Sequence, residues 1–235
     1  MKKKLYSAIL ASIMVIGSIC GVAIPVYAKE ETKIIDGNDS YDTATYLDVN
    51  GSYSDVLSDS NDVDFYKLIP DSNGKLSINF GHVYGESSHG WKVIIYKYQD
   101  GEYIELSDTV IKLEDSEKVE LPFVGVQYGC EYYIKVQNYN WDAVNKVYTI
   151  KTTFIRSEQY EREENDSYNK AKEMKLNSSY TGTLNNDNDI DIYRINATGN
   201  GKIELTFEHV YTDDSHGWDI IIYRYTNGEY QELSN

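Results

Sequence analysis

The chain has 235 residues, with 38 acidic side chains against 22 lysines and arginines, which gives a formal net charge of -16 at pH 7. Such acidity excludes nucleic acid and anionic membrane as partners, because their phosphates would be repelled, and it favours cations. Twenty-three tyrosines and only three prolines, in short β-branched and aromatic runs, indicate strands rather than helices.

The first 28 residues predict a secretory signal. Lys2-Lys3-Lys4 is a basic start, an apolar run extends from Leu5 to Pro25, and Val26-Tyr27-Ala28 offers small residues for cleavage. We expect a secreted or cell-surface protein that does not insert into the membrane after cleavage. A membrane anchor is the alternative, since the run approaches the roughly 20 residues that span a bilayer. Cleavage would leave Cys130 without a disulfide partner. A bound metal ion is therefore a candidate for stabilising the fold in place of a disulfide.

Downstream of this segment the sequence repeats itself with a constant offset of 127 residues. Asn38 to Ser107 returns as Asn165 to Ser234, with about half of the paired positions identical. For example, Ser88-His89-Gly90-Trp91 recurs as Ser215-His216-Gly217-Trp218. The remainder of the first repeat would map past Asn235, so the second repeat is expected to be incomplete.

Alternating apolar and polar residues predict the strands of the first repeat, in chain order Asp64–Ile69, Lys75–Phe80, Trp91–Tyr98, Tyr103–Leu106, Lys118–Pro122, Tyr132–Val136 and Val147–Phe154. Alternation indicates one buried and one solvated face, as in antiparallel sheets. Asn-Gly and Asp-Gly pairs predict hairpin turns at 73–74, 100–101, 200–201 and 227–228.

These elements predict an all-β fold built of tandem antiparallel β-sandwich modules with jelly-roll-like connections. We divide the chain into a signal peptide (1–28), a first sandwich (29–155), a linker (156–164) and a second, C-terminally incomplete sandwich (165–235). The linker is assigned because this stretch is charged and has no apolar periodicity.

Two acidic runs at the start of the second repeat predict a metal site. Glu161-Arg162-Glu163-Glu164-Asn165-Asp166 is followed about 20 residues later by Asp187-Asn188-Asp189-Ile190-Asp191. Calcium takes six to eight oxygen ligands at about 2.3–2.6 Å and accepts irregular geometry, so the two runs together could enclose one ion. The alternative is solvated turns in which aspartates cap short helices at Asp39–Thr45 and Asp166–Ala171.

The second repeat resembles the bacterial pre-peptidase C-terminal domain. The resemblance rests on Glu161-x-Glu163-x-Asn165-Asp166-Ser167, on Asp191-x-Tyr193 and on Gly201-Lys202-Ile203-Glu204-Leu205. In the first repeat, Gly129-Cys130-Glu131-Tyr132-Tyr133-Ile134-Lys135-Val136 and Tyr148-Thr149-Ile150 are similar to the late strands of that family. The chain is also similar to the related collagen-binding domains of clostridial collagenases. The resemblance implies a non-catalytic β-sandwich that accompanies a secreted protease.

The same resemblance implies a structural calcium ion, held between the start of each module and its Asp-rich turn. Carried over by position, the ligands of the second repeat are Glu161, Glu163, Asn165, Asp166, Asn188 and Asp191. Those of the first repeat are Asp36, Asn38, Asp39, Asn61 and Asp64. Asp62 and Asp189 are nearby carboxylates that could substitute. The first repeat departs from the pattern, because Ile34 stands where the second repeat has Glu161.

Tyrosines supply an alternative function, a carbohydrate-binding module that works through a tyrosine-rich sheet face. The candidate ligand-binding residues are Tyr96, Tyr98, Tyr139, Tyr223 and Tyr225. Exposed rings stack on sugars and on extended peptides, although tyrosine is also a common amphipathic filler in such folds.

The expected function is therefore that of a secreted, non-catalytic, calcium-binding module acting in targeting, adhesion or spacing beside an extracellular protease. Its expected partner is an extracellular protein or polysaccharide. No enzyme is expected, because nucleophile-elbow, zinc-protease and phosphate-loop motifs are absent from the sequence.

Overall fold

The computed structural model describes residues 37–185, 188–209 and 217–234. The predicted signal peptide and Asp36 lie outside the described residues. Within these ranges the regular elements are one short 3-10 helix, Tyr41–Thr43, and fourteen strands. In chain order the strands are β1 Thr45–Tyr46, β2 Ser52–Val56, β3 Val63–Leu68, β4 Gly74–His82, β5 Gly90–Gln99, β6 Glu102–Lys112, β7 Lys118–Glu120, β8 Val124–Val126, β9 Glu131–Tyr139, β10 Val147–Arg156, β11 Lys172–Met174, β12 Tyr193–Ile195, β13 Ile222–Thr226 and β14 Glu229–Ser234. The described part of the chain contains no helix that is long and apolar enough to cross a membrane.

Strands β1 to β10 form two sheets in the first repeat. One sheet has the strand order β1-β3-β9-β5-β6, and the other has the order β2-β10-β4-β7, with β8 also paired to β4. Neighbouring strands are antiparallel except for β1 and β3, which pair in parallel. The predicted all-β, antiparallel sandwich is therefore confirmed.

The core lies between the two sheets. Alternate residues of β5, Trp91, Val93 and Ile95, face inward and are almost fully buried. From the other sheet, Phe80 on β4 and Ile150 on β10 join the same cluster, and the Phe80 ring centre lies 5.5 Å from that of Trp91. The period-two pattern in the sequence thus marks the core-facing side of each strand.

All seven predicted strands form, as β3, β4, β5, β6, β7, β9 and β10. Strand β2 was not predicted because its sequence, Ser-Tyr-Ser-Asp-Val, is mostly polar, and β1 and β8 have only two and three residues. A short helix was considered at Asp39–Thr45, where a single 3-10 turn capped by Ser40 is found. The helix considered at Asp166–Ala171 is wrong, since that segment consists of bends and turns.

Two of the four predicted hairpin turns are confirmed. Asp100-Gly101 joins β5 to β6 and Asn227-Gly228 joins β13 to β14, and all four residues have positive φ angles, as a two-residue type I′ turn requires. The hairpin predicted at Asn73-Gly74 is wrong, because β3 and β4 belong to different sheets. Asn200-Gly201 also lacks flanking strands among the described residues.

The second repeat reproduces the first at its start. Strand β11 pairs in parallel with β12, with Lys172 opposite Tyr193, just as β1 pairs with β3 with Thr45 opposite Tyr66. The 127-residue offset therefore applies to strand register as well as to sequence. Internal contacts divide the chain into residues 1–195 and residues 196–235, so this β11–β12 pair belongs with the first sandwich and not with the rest of its own repeat.

The unit from Asn196 onward has an antiparallel hairpin, β13–β14, as its regular structure among the described residues. Most of its described apolar side chains are exposed. Phe207 and Trp218 are 48% and 46% exposed, whereas their counterparts in the first repeat, Phe80 and Trp91, are buried. In the first repeat, Phe80 and Trp91 belong to the core cluster between the two sheets.

Candidate metal centre at the start of the second repeat

The segment predicted as a linker is fixed in place by backbone hydrogen bonds. We call residues 157–164 the inter-repeat segment. Glu161 N donates to Thr181 O at 2.8 Å, and Thr181 N donates to Gln159 O at 3.0 Å. Just after this segment, Asn165 O accepts a hydrogen bond from Ile192 N at 3.1 Å. These bonds hold the first acidic run beside the residues that lead into β12.

Five carboxylates come together as a result. Glu161, Glu163 and Asp191 form one group whose ligand oxygens all lie within 4.8 Å of one another, and Glu163, Asp166 and Asp189 form a second such group. Glu163 belongs to both. The two predicted acidic runs, distant in sequence, therefore converge on one cluster.

Amide side chains orient several of these carboxylates. Asn165 Nδ2 donates to Asp191 Oδ1 at 2.8 Å, and Asn185 Nδ2 donates to Glu163 Oε1 at 2.7 Å. The backbone N–H of Asn185 donates to the carboxylate of Asp189. The NH₂ group of each amide donates to a carboxylate. The carbonyl oxygen of each amide is therefore available to bind a cation.

Four oxygen atoms around the cluster are buried without a hydrogen-bond partner. They are Glu161 Oε1, Asn165 Oδ1, Asn185 Oδ1 and Thr183 Oγ1. Glu161 and Asn165 are only 2% and 1% exposed. An unpaired buried polar atom costs roughly 1–3 kcal/mol, and a gathering of them calls for a specific explanation.

Burial and repulsion by neighbouring carboxylates raise the pKa values of Glu161, Glu163 and Asp191. Burial is the larger cause in each case, and neighbouring carboxylates add to it. The pKa rises to about 9 for Glu161, to about 8 for Glu163 and to about 6 for Asp191. Burial also raises the pKa of Asp166. Without a cation, Glu161 and Glu163 therefore hold protons at neutral pH in the folded protein.

The donor set fits a hard divalent cation. Carboxylate, amide and hydroxyl oxygens are the ligands of calcium, and neither acidic group contains a thiolate or an imidazole. Calcium takes six to eight oxygen ligands in irregular geometry, which suits either acidic group together with the neighbouring amide oxygens, whereas Mg²⁺ demands a near-ideal octahedron. Gly182 keeps the site open, because a Cβ there would lie 2.6 Å from Tyr193 Oη and 2.9 Å from Asp191 Oδ2.

Asn188 lies in the turn before β12, where it is exposed. Sequence reasoning missed Asn185, Thr183 and Gly182. The run Asn185-Asn186-Asp187 continues the acidic and amide-rich stretch towards its N-terminal side, and this composition could have indicated Asn185. Gly182 gives no such signal in a single sequence.

The first repeat does not assemble an equivalent group among its described residues. Asp64 accepts a hydrogen bond from Tyr148 Oη at 2.6 Å, the hydroxyls of Tyr148 and Tyr66 are 2.5 Å apart, and Tyr66 Oη donates to Asp55 at 3.0 Å. Burial, opposed by the bond from Tyr148 and reinforced by the charges of Asp55, Asp62 and Asp39, raises the pKa of Asp64 to about 7. Asp55 occupies the position of Gly182, so a side chain fills the space left open in the second repeat.

The other predicted ligands of the first repeat make local hydrogen bonds or are exposed. Asp62 accepts from Ser58 N at 2.5 Å, and Asn61 N donates to Asp59 at 2.7 Å. Asn38 is buried, and its Nδ2 donates to Phe65 O at 3.3 Å while its Oδ1 has no partner. Asp39 is exposed.

The tyrosine face of the first repeat is partly covered by its own chain. Tyr41, on the 3-10 helix, stacks on Tyr103 with ring centres 3.6 Å apart and also contacts Tyr96 at 5.8 Å. Tyr98 remains exposed beside Tyr103, at 4.8 Å. Tyr139 is half-buried, with its ring 6.4 Å from that of His89.

The second repeat keeps the corresponding pair in the open. Tyr225 lies 4.6 Å from Tyr230, and Tyr223, Tyr225 and Tyr230 are all exposed. The tilted ring pair therefore recurs at both hairpins.

Comparison with known proteins returns a structural likeness and no sequence family. No family model matches the chain, and no curated protein matches it. Among solved structures, the chain is similar to the pre-peptidase C-terminal domain of collagenase from Bacillus anthracis. That match has 17% sequence identity and a TM-score of 0.37, and it covers 47% of this chain and 94% of the other.

Proposed function

We propose that this protein is an exported, non-catalytic β-sandwich module that binds calcium at the start of its second repeat. In this proposal it belongs with the pre-peptidase C-terminal and collagen-binding domains that its motifs resemble, and it serves in targeting, adhesion or spacing beside an extracellular protease. The observation that supports the calcium site is the convergence of Glu161, Glu163 and Asp191 around buried oxygens that lack hydrogen-bond partners.

A cation accounts for this cluster better than acid–base chemistry does. A raised pKa is also a mark of a catalytic carboxylic acid, but such a group must reach a substrate. Glu161, which has the most strongly raised pKa of the cluster's carboxylates, is 2% exposed and is covered by the protein. A bound divalent ion would instead partner the orphaned oxygens and keep the carboxylates ionised.

Calcium titration of the metal-free protein tests this proposal. We expect saturable binding by calorimetry and a melting temperature that rises with calcium and falls again with a chelator. A ligand at 100 times its dissociation constant stabilises the native state by about 2.7 kcal/mol. Magnesium at the same concentration should have a much smaller effect. A melting temperature that neither calcium nor chelator moves would contradict the proposal.

The proposed partner is an extracellular protein or polysaccharide, bound through the ring pairs at the hairpins. The supporting observation is that the Tyr98–Tyr103 pair recurs as Tyr225–Tyr230 with nearly the same spacing. Binding to arrays of matrix proteins and glycans should be lost in a double variant, Tyr98→Ala with Tyr225→Ala, and kept in a control variant at another exposed ring, Tyr128→Ala. Equal binding by both variants would rule out this surface.

A further inference from the structure

A buried lysine of the first repeat reaches the metal centre of the second. Lys97 follows Trp91, Val93 and Ile95 on the inward side of β5 and is 3% exposed. Its Nζ donates to the backbone carbonyl of Glu163 at 2.9 Å. A buried ammonium group is costly unless it is hydrogen-bonded, so this contact fixes the position of the Glu163 backbone.

A glycine of the first repeat allows the same segment to approach closely. Gly125, in β8, lies directly against the main chain of the inter-repeat segment. A Cβ at this position would lie 1.4 Å from Glu161 O and 3.2 Å from Arg162 Cα. Any larger residue here must push the segment away, and Glu161 would move with it.

Further contacts join the inter-repeat segment to the first sandwich. Lys75 Nζ lies 4.3 Å from the ring centre of Phe123 and 5.8 Å from that of Tyr160. Asn73 Nδ2 donates to Glu158 at 2.7 Å. The two glutamates of the first acidic group are thus placed by the preceding module as well as by their own repeat.

We infer that the metal centre is a composite of both repeats, in which Lys97 and Gly125 of the first sandwich position Glu163 and Glu161 for the ion. This inference rests on the proposed calcium binding. Neither residue is a ligand, since Lys97 offers a cationic donor and Gly125 has no side chain. Because coupling between two events is reciprocal, calcium bound by the second repeat must also stabilise the packing of β8 and of the end of β5.

The test is calcium titration by calorimetry on the whole chain with two independent variants. Lys97→Met keeps the length of the side chain and removes the donor, and we expect affinity for calcium to fall by about tenfold, the cost of one charge-assisted hydrogen bond. Lys97→Arg should restore part of the loss, because the guanidinium group keeps a positively charged hydrogen-bond donor at this position. The matched control is Lys151→Met, at an exposed position on β10.

Gly125→Ala changes no charge and no ligand, yet we expect it to weaken calcium binding at least tenfold. Its control is Gly81→Ala on β4, where the nearest atom to the new Cβ is 3.5 Å away. In the wild-type protein, calcium should slow hydrogen exchange in Val124–Val126, although these residues contribute no ligand.

The outcomes separate the two proposals. If the wild-type protein binds no calcium, the proposed function and this inference both fall. If it binds calcium and Lys97→Met binds equally well, the inference alone is overturned, even where Gly125→Ala proves too unstable to measure. A hydrogen-exchange rate in β8 that does not change on addition of calcium would also overturn the inference.

Discussion

Replacing Glu163 by glutamine is expected to weaken calcium binding by at least about 100-fold, which corresponds to about 2.7 kcal/mol. Glu163 is the carboxylate that both acidic groups share, so its loss removes a charged ligand from each of them. The neutral amide keeps the size of the side chain and one oxygen, which leaves the fold of the segment in place. The measurement is calorimetric titration of the metal-free variant.

The control for this variant is Glu120→Gln, which makes the same charge change on an exposed residue of β7. Asp62→Asn provides a second comparison, because Asp62 lies at the corresponding acidic turn of the first repeat. We expect both to bind calcium within about twofold of the wild-type protein. Equal affinity in Glu163→Gln and Glu120→Gln would show that the ion does not use this cluster.

The metal-free protein is expected to lose stability as the pH rises, which is opposite to the usual behaviour of carboxylates. Glu161 and Glu163 hold protons more tightly when folded than when unfolded, since burial raises their pKa values to about 9 and about 8. Their contribution is present at low pH and is lost from the ordinary glutamate pKa of about 4.3 up through the raised values. Between about pH 5 and pH 9 we expect the free energy of unfolding to fall by on the order of several kcal/mol.

Calcium should reverse this trend, because it must displace the same protons. Its apparent affinity is expected to be at least about tenfold stronger at pH 8.5 than at pH 6. Denaturant unfolding with chelator and calcium titration at both pH values measure the two effects. The variant Glu161→Gln lacks the carboxylate with the highest pKa in the cluster. In this variant, both the free energy of unfolding and the calcium affinity should depend less on pH. Stability of the metal-free protein that rises steadily from pH 5 to pH 9 would contradict the account.

Much of the fold could be predicted because its determinants are local. The inward row Trp91, Val93 and Ile95 has the period of a half-buried strand, and Asp100-Gly101 has the positive φ angles that favour a tight hairpin. The turn at Asn73-Gly74 was mistaken for a hairpin because sequence shows that two strands are joined and not which sheets they enter. Here Asn73 contacts Tyr128 N and Glu158 instead of closing a turn between paired strands.

The candidate site could be predicted in part for a related reason. Glu161, Glu163 and Asp191 were expected to converge because calcium chemistry needs several carboxylates and the chain provides two dense acidic runs. The reason why the first repeat lacks this acidic group could be predicted only in part from the sequence. Ile34 in place of Glu161 indicated a loss in the sequence. Asp55 at the position of Gly182 is also visible there, but that this position borders the acidic group is shown only by the structure.

Contacts between the repeats could not be predicted at all. Lys97 reads as an ordinary charged residue in a strand, and Gly125 reads as an interruption of a short apolar run. Their significance arises from the approach of residues 36 or more positions away in sequence, at Glu161 and Glu163. Long-range packing of this kind leaves no periodic signal in a single sequence.

Calcium binding as proposed requires Glu161, Glu163 and Asp191 to close around one divalent ion. Crystals of the protein grown with calcium, with anomalous data collected at long wavelength, test it most directly. We expect an anomalous peak about 2.3–2.6 Å from oxygens of all three carboxylates. Well-ordered density for the three side chains with no peak between them would contradict it.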